Sequence, residues 1–225
     1  MLAQSLTLAA AGAALLIPAT LPPAHPGELR QGTVRAADLL AKTRGCLRIS
    51  HGRYRSDQGA PADIPVCGAH GAVFWTADMD IDCDGRAGRV CNSRTDGYFT
   101  PATTYRQSDG RYPSSEILPY LVVPGPSGIW DYRAYGITGG SVAAVVHGGR
   151  IEYAVVADTG PTGIIGEASY ATARALGINP DPRGGGTDGP VTYVLFRGSR
   201  AIPLEDHRAA VVQGVALARR FLAEN

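Results

Sequence analysis

The chain has 225 residues and a formal net charge of +1, with 44% hydrophobic and 18% charged residues. This length allows one domain with a substantial core, and the near-neutral charge excludes a general attraction to nucleic acid or to an anionic membrane. The 29 glycines and 16 prolines favour short strands joined by turns over a helical bundle.

The N-terminal 26 residues differ in composition from the rest. The stretch Leu2–Ile17 is apolar and uncharged, and four prolines follow it by residue 26. This stretch is short for a membrane span and has the character of a secretory signal, with a buried N-terminal helix as the alternative. We expect residues 1–26 to be a signal peptide, residues 27–225 to form one domain, and the mature protein to be secreted.

Helix and strand patterns follow in chain order. Ala36, Leu39 and Leu40 give the segment Val34–Arg44 a helical spacing. From Gly71 onward, short apolar runs are separated by turn residues, which indicates strands. The predicted strands are Ala72–Trp75, Ile117–Val123, Ser141–His147, Ile151–Ala157 and Val191–Phe196.

The connections and the later helices carry their own signals. The sequence His147-Gly-Gly-Arg150 predicts a hairpin turn because glycine tolerates positive φ. Ser169 is a suitable N-cap for a short helix, Tyr170–Leu176, and Gly177 is a suitable end for it. Apolar residues at helical intervals over Pro203–Ala223 predict a C-terminal helix.

The four cysteines are Cys46, Cys67, Cys83 and Cys91. An even number of cysteines behind an export signal indicates two disulfides, for which three pairings are possible. A zinc site is the alternative, but the chain has no CxxC spacing, and His51 and His70 lack partners at ligand-like intervals. We therefore expect two disulfides and no metal ligated by cysteine.

Two carboxylates near one strand are the first candidates for chemistry. An apolar run leads directly into Asp158, and Glu167 follows nine residues later, just before the helix capped by Ser169. Acid–base hydrolysis of a glycosidic bond requires two such carboxyl groups. The helix N-terminus favours the ionised form of Glu167, while nearby isoleucines raise its pKa. Alternatively, Asp158 is a turn residue and Glu167 a helix-entry charge.

A row of four aspartates is the second candidate. Its members are Asp78, Asp80, Asp82 and Asp84. In a strand they project from one face, so their repulsion requires a compensating partner. A polycationic ligand would serve, and so would a metal ion, although Cys91 stands where a calcium loop needs glutamate. A solvated face neutralised by Arg86, Arg89 and Arg94 is the third possibility.

Four blocks in order resemble the chitosanases of glycoside hydrolase family 75. They are Val73–Gly85; Gln107–Gly110 with Leu118–Pro124; Tyr153–Pro161 continuing through Gly166–Ser169; and Gly189–Gly198. The resemblance spans roughly residues 71–198. It implies an endo-acting hydrolase that cuts β-1,4 linkages between glucosamine units of chitosan with inversion of configuration.

The resemblance also implies site residues. Asp158 and Glu167 occupy the positions of the essential carboxylates, while Ala157 stands where the family usually has glycine. We assign Glu167 as general acid and Asp158 as general base, and the reverse assignment stays open. Inversion requires the two carboxyl groups to lie about 6.5–9.5 Å apart.

The expected substrate gives the aspartate row a use. Chitosan carries ammonium groups, so Asp78, Asp80, Asp82 and Asp84 are predicted to bind it. Trp75 and Tyr120 are predicted to offer ring faces to sugars, as Tyr98 could also do, and core packing is the alternative for each. We expect no cofactor, no nucleic-acid or membrane partner after signal removal, and a monomer.

The expected fold is mainly β, a six-stranded double-psi β-barrel with a C-terminal helix, and the alternative is a different small β-barrel or an α+β sandwich. The pattern of strand, Asp-x-Gly-Pro, loop and Ser-capped helix is similar to the core of such barrels, which also occur in endoglucanases, expansins and wall proteins. Two alternative functions follow from this fold-level similarity. One is a non-catalytic, expansin-like polysaccharide-binding barrel, and the other is a lytic enzyme acting on peptidoglycan.

Overall fold

The computed structural model describes residues 34–225. The strands are β1 (Leu47–Arg48), β2 (Cys67–Ala69), β3 (Ala72–Asp82), β4 (Tyr120–Pro124), β5 (Val142–His147), β6 (Arg150–Gly160), β7 (Glu167–Ser169) and β8 (Thr187–Phe196). The helices are α1 (Ala36–Lys42), α2 (Tyr170–Leu176) and α3 (His207–Glu224), with a 3-10 helix at Tyr132–Tyr135. None of the helices among these residues is long and apolar enough to cross a membrane.

Six strands form a closed barrel in the order β3-β7-β4-β6-β5-β8, with β8 pairing back onto β3. The pairs β3–β7 and β4–β6 are parallel, and the other pairs in the barrel are antiparallel. β1 and β2 extend the sheet from the first half of β3. The predicted mainly β fold, a six-stranded barrel with a C-terminal helix, is confirmed.

The barrel strands bury residues on both of their faces, whereas β1 is exposed. Alternate residues of each strand point into the barrel interior and fill it. There the ring of Trp75 stacks on Tyr193 with 5.4 Å between ring centroids and meets Trp130 edge-on at 6.1 Å. The residues between them form an outer apolar layer covered by α1 and α3. Gly214 of α3 allows this close packing, because a Cβ there would lie 2.3 Å from the Tyr153 ring.

Most of the predicted elements are confirmed, with corrected lengths. The hairpin turn pairs His147 with Arg150, and both of its glycines have positive φ. The Ser169 side chain accepts a hydrogen bond from the Thr172 N–H, and Gly177 ends α2 with φ 77°. β3 and β6 run further than predicted, β4 begins three residues later, and β1, β2 and β7 were not predicted. The predicted signal peptide lies outside the described residues.

The two predicted disulfides are present, and the structure selects one of the three possible pairings. Cys46 is bonded to Cys67 at the β1–β2 edge, and Cys83 is bonded to Cys91 just after β3. No cysteine of the described segment remains free. The second disulfide closes the beginning of the long connection from β3 to β4, which lies over the candidate site.

Candidate active site

A β-bulge determines where the Asp158 side chain points. Leu121 of β4 pairs with Val156, but Val122 pairs with Asp158, so Ala157 is an extra residue in β6. Val156 lies in the barrel interior, and strict alternation would also direct Asp158 inward. The bulge instead places Asp158 level with Val122, which belongs to the outer layer.

The segment around Thr104 docks against this bulge and binds the carboxylate. Asp158 Oδ1 accepts hydrogen bonds from Thr104 N (2.8 Å), Thr104 Oγ1 (2.9 Å) and Thr159 N (2.7 Å). The carbonyl of Ala157, the bulged residue, accepts one from Tyr105 N at 3.1 Å. Asp158 is only 6% exposed. Burial raises the pKa of Asp158, and the hydrogen bonds from Thr104 and Thr159 oppose that rise because they stabilise the ionised form.

Glu167 reaches the same place from a neighbouring strand. It is the first residue of β7, where it pairs in parallel with Asp80 of β3. A Cβ at Gly160 would lie 2.5 Å from Glu167 Oε2, so the glycine of Asp-Thr-Gly makes room for this carboxyl group. Burial, assisted by the charges of Asp80 and Asp158, raises the pKa of Glu167 to about 7. Among the described residues, no hydrogen-bond donor contacts this carboxylate.

Three members of the aspartate row line the cleft that contains Asp158 and Glu167. They are Asp80, Asp82 and Asp84. Asp82 Oδ1 accepts a hydrogen bond from Asp84 N (2.7 Å), and Asp84 Oδ1 accepts one from Thr100 N (2.7 Å). Burial is the main cause of the raised pKa of each, which is about 6 for Asp84 and well above the usual range for Asp82.

Asp78 is separated from the other three aspartates of the row. It does not line the cleft, and its neighbours are Asp57 and Asp80, with oxygens of the three carboxylates within 4.8 Å of one another. Its Oδ1 is buried without a hydrogen-bond partner, and Gly166 leaves room for it, since a Cβ there would lie 2.4 Å from that oxygen. Burial, with the charge of Asp80, raises the pKa of Asp78 to about 7.

The cleft has a volume of about 650 Å³ and a strongly acidic lining. Besides the residues already described, Asp96 and Asp181 contribute carboxylates, and Tyr98 contributes an aromatic side chain that is 95% exposed. Oxygens of Asp82, Asp84 and Asp158 also lie within 4.8 Å of one another, a spacing that suits one cation. The acidic lining can therefore bind ammonium groups. The carboxylate oxygens of Asp82, Asp84 and Asp158 are also the ones that could hold a metal ion.

The prediction that Trp75 and Tyr120 present ring faces to a sugar is wrong. Trp75 is 1% exposed inside the barrel, on the same face of β3 as Met79 and opposite the aspartates. Tyr120 is fully buried in the outer layer, where its hydroxyl donates to the carbonyl of Asp84 at 3.0 Å. Through this hydrogen bond, Tyr120 helps to hold the backbone of the aspartate row in place.

Sequence reasoning missed other residues of the cleft. Thr104 donates hydrogen bonds to the Asp158 carboxylate, but a threonine in a loop has no sequence pattern that indicates such a role. Arg183 lines the cleft, whereas none of the predicted neutralisers Arg86, Arg89 and Arg94 does. The loop carrying Arg183 is separated in sequence from both carboxylate blocks, and only the closure of the barrel by β8 brings it near them.

The sequence is similar to known proteins. A sequence profile described as fungal chitosanase of glycosyl hydrolase group 75 matches residues 79–218, more than half of the chain. The chain belongs to glycoside hydrolase family 75. The match contains every carboxylate that lines the cleft, from Asp80 to Asp181.

Individual relatives of the chain are named as endo-chitosanases. Endo-chitosanase C of Aspergillus oryzae is 28% identical over 190 residues, which cover 80% of this chain and 47% of that protein. An endo-chitosanase of Aspergillus oryzae strain ATCC 42149 / RIB 40 is 33% identical over 138 residues, which cover 56% of each chain. Endo-chitosanase B of that strain is 28% identical over 154 residues, or 61% of this chain and 64% of that protein. The chain spans about half the length of the first of these relatives.

Proposed function

We propose that this family 75 protein is an endo-acting chitosanase that hydrolyses β-1,4 linkages between glucosamine units. The observation that carries the proposal is the convergence of Asp158 and Glu167, from two different strands, on one acidic cleft. Their environments differ, because Asp158 accepts three hydrogen bonds and Glu167 accepts none from the described residues. Two carboxyl groups in different environments are what acid–base cleavage of a glycoside requires.

The proposed roles follow from where a proton is held. With its pKa raised to about 7, Glu167 keeps its proton in mildly acidic solution and donates it to the departing glycosidic oxygen. Asp158, whose ionised form is stabilised by Thr104 and Thr159, accepts a proton from the water that attacks the anomeric carbon. The sugar–oxygen bond breaks as the water–carbon bond forms on the opposite face, so the configuration inverts.

The acidic lining supports chitosan as the substrate. Each deacetylated unit carries an ammonium group, and Asp80, Asp82 and Asp84 stand beside the two catalytic candidates. Binding a cation here relieves the mutual repulsion of these carboxylates and stabilises their ionised forms. An uncharged glucan would offer no such compensation. We further propose that the protein acts outside the cell, since disulfides persist in oxidising compartments. That it acts as a monomer stays a prediction.

The first test is hydrolysis of highly deacetylated chitosan by the wild type and by the isosteric variants Glu167→Gln and Asp158→Asn. We expect the wild type to release reducing ends and mid-sized oligosaccharides. Each variant should lose activity by about a thousandfold or more, because it lacks either the proton donor or the group that activates water. Both variants should keep a cooperative thermal transition, which shows that folding is intact.

A matched control is Glu224→Gln at the exposed end of α3, which removes a carboxylate that does not line the cleft and should keep full activity. Wild-type activity retained by both cleft variants would refute the assignment. A folded wild type that binds chitosan without releasing reducing ends would favour a non-catalytic binding barrel. Anhydro-sugar products from peptidoglycan would favour a lytic enzyme.

A further inference from the structure

One side chain in the acidic cleft has the opposite charge. Seven carboxylates line the cleft, and among the described residues that line it Arg183 is the sole Arg, Lys or His. Chitosan units with a free amine are cationic, so an arginine at the wall of a chitosan cleft works against their binding. Chitosan also contains N-acetylated units, which are neutral and carry an amide carbonyl.

The loop that carries Arg183 is tightly organised. The Asp181 carboxylate accepts a hydrogen bond from Arg183 N (3.0 Å), and the Asp181 carbonyl accepts one from Gly185 N (2.7 Å). A Cβ at Gly185 would lie 2.3 Å from the carbonyl oxygen of Asn179, so the turn closes only with glycine. These contacts fix the shape of the loop that precedes β8.

The guanidinium itself is tied to the opposite loop. Arg183 Nη2 donates to the carbonyl of Arg94 at 3.1 Å, which connects it to the segment that begins at the Cys83–Cys91 disulfide. A guanidinium has five N–H donors, and this carbonyl uses one of them. The remaining donors of the exposed Arg183 side chain are available to an acceptor on a ligand.

A second groove of about 410 Å³ adjoins the cleft and shares the segment 181–183 with it. Its other lining residues are uncharged: Val90, Thr95, Tyr170, Asn179 and Pro180. Two charged side chains contact these lining residues without lining the groove: Glu116 accepts hydrogen bonds from the N–H groups of Val90 and Cys91, and Arg174 lies over the Tyr170 ring. The lining therefore changes from acidic to nearly neutral as it passes Arg183.

We propose that this neutral groove is a distal subsite for an N-acetylglucosamine unit, with Arg183 donating to the carbonyl of the acetamido group. Val90, Pro180 and Pro182 give the acetyl methyl an apolar wall, and the guanidinium repels the ammonium of a deacetylated unit at the same place. The site would thus favour chitosan chains whose acetylated unit lies several sugars away from the cleaved bond. This assignment rests on the proposed function.

Binding to a catalytically disabled protein tests the subsite without requiring turnover. Glu167→Gln and the double variant Glu167→Gln/Arg183→Gln would be titrated calorimetrically with three glucosamine oligomers of equal length. One oligomer is fully deacetylated, and the other two carry a single N-acetyl group at the reducing or the non-reducing end. We expect Glu167→Gln to prefer one of the acetylated oligomers, and Arg183→Gln to reduce that preference by about fivefold, as loss of one hydrogen bond and of one repulsive charge predicts.

The control is Arg133→Gln in the same background, which neutralises an exposed arginine paired with Asp131, outside both grooves. It should leave the preference unchanged. Equal affinity of Glu167→Gln for all three oligomers would overturn the subsite, and so would a preference that survives Arg183→Gln or falls equally with Arg133→Gln. Failure of the proposed function shows differently, as an absence of reducing ends from the wild type, and it leaves these binding ratios measurable.

Discussion

At the scale of single residues, the chemistry depends on how Asp158 is held. Thr104 supplies two of its three hydrogen bonds, one from the backbone and one from the hydroxyl, and both reach the same oxygen, Oδ1. These bonds favour the ionised carboxylate against its burial, and ionisation is what a general base needs. Thr104 is therefore a positioning residue that acts through Asp158.

Replacing Thr104 with valine tests this role. Thr104→Val keeps the shape and the backbone N–H but removes the hydroxyl donor, so the pKa of Asp158 should rise by about one pH unit. The acidic limb of the kcat/KM–pH profile should shift to higher pH by that amount, while the basic limb, set by the pKa of Glu167, should stay at the same pH. The measurement is hydrolysis of soluble chitosan oligomers across the pH range.

Thr76→Val is a suitable control, because Thr76 bonds to Thr192 between β3 and β8 and does not line the cleft. Its pH profile should match that of the wild type. If Thr104→Val lowers activity equally at every pH, the residue serves packing alone.

The sequence predicted Asp158 and Glu167 as candidates but did not predict how they meet. Val155, Val156 and Ala157 are all apolar, so no alternation of polar and apolar residues reveals which of them forms the bulge. The burial of Trp75, in contrast, was predictable. It lies an even number of residues from Met79, on the strand face opposite the aspartates, and the alternation used for the aspartate row excludes it from the cleft.

At the scale of elements, β3 connects the core to the site. Its first half pairs with β8 and fills the barrel, and its last three residues, Asp80–Asp82, pair with β7. β7 escaped prediction because it has only three residues and precedes a well-capped helix, so its local pattern is that of a helix entry. Pairing with β3 and β4, which are distant in sequence, makes it a strand.

We predict that the Cys83–Cys91 disulfide maintains the shape of the cleft. The Cys46–Cys67 disulfide should instead stabilise the edge of the sheet. The first restrains the loop that contributes Asp96 and Tyr98 to the cleft. We expect a Cys83→Ser/Cys91→Ser variant to raise KM for chitosan oligomers about tenfold or more while the barrel still unfolds cooperatively. Loss of either disulfide should lower stability by about 2–3 kcal/mol.

The Cys46→Ser/Cys67→Ser variant is the matched comparison, since its bond lies at β1 and β2, away from the cleft. It should lower the melting temperature and leave KM unchanged. Equal effects of the two variants on KM would show that the disulfides act only through global stability.

At the scale of the whole molecule, the closed barrel concentrates negative charge on one part of its surface, the cleft. The net charge of the chain is only +1, so the acidic cleft is balanced by arginines placed elsewhere. Within the cleft, burial raises the pKa of Glu167 to about 7 and that of Asp84 to about 6. The ionised cleft therefore destabilises the fold until a cationic ligand enters it.

The sign of the resulting pH dependence is fixed by these shifts. A carboxyl group whose pKa is higher in the folded than in the unfolded protein stabilises the fold while it is protonated, and this contribution is lost as the pH rises through the folded pKa. For Glu167 the loss extends from its ordinary value of 4.5 to about 7. The melting temperature of the wild type should thus fall between about pH 4.5 and about pH 7.

Glu167→Gln should remove part of this fall, because glutamine is neutral at every pH. At about pH 8 the variant should be more stable than the wild type by about 1–3 kcal/mol although it is inactive, and at about pH 4 the two should unfold at similar temperatures. Differential scanning calorimetry at the two pH values measures both differences. Glu224→Gln provides a control of opposite sign, since ion pairs with Arg220 and His70 lower the pKa of Glu224 and its loss should not stabilise the protein at high pH. A Glu167→Gln variant that is less stable than the wild type at about pH 8 would mean that the ionised carboxylate is compensated within the fold, and the cleft would then need no cationic ligand to relieve it.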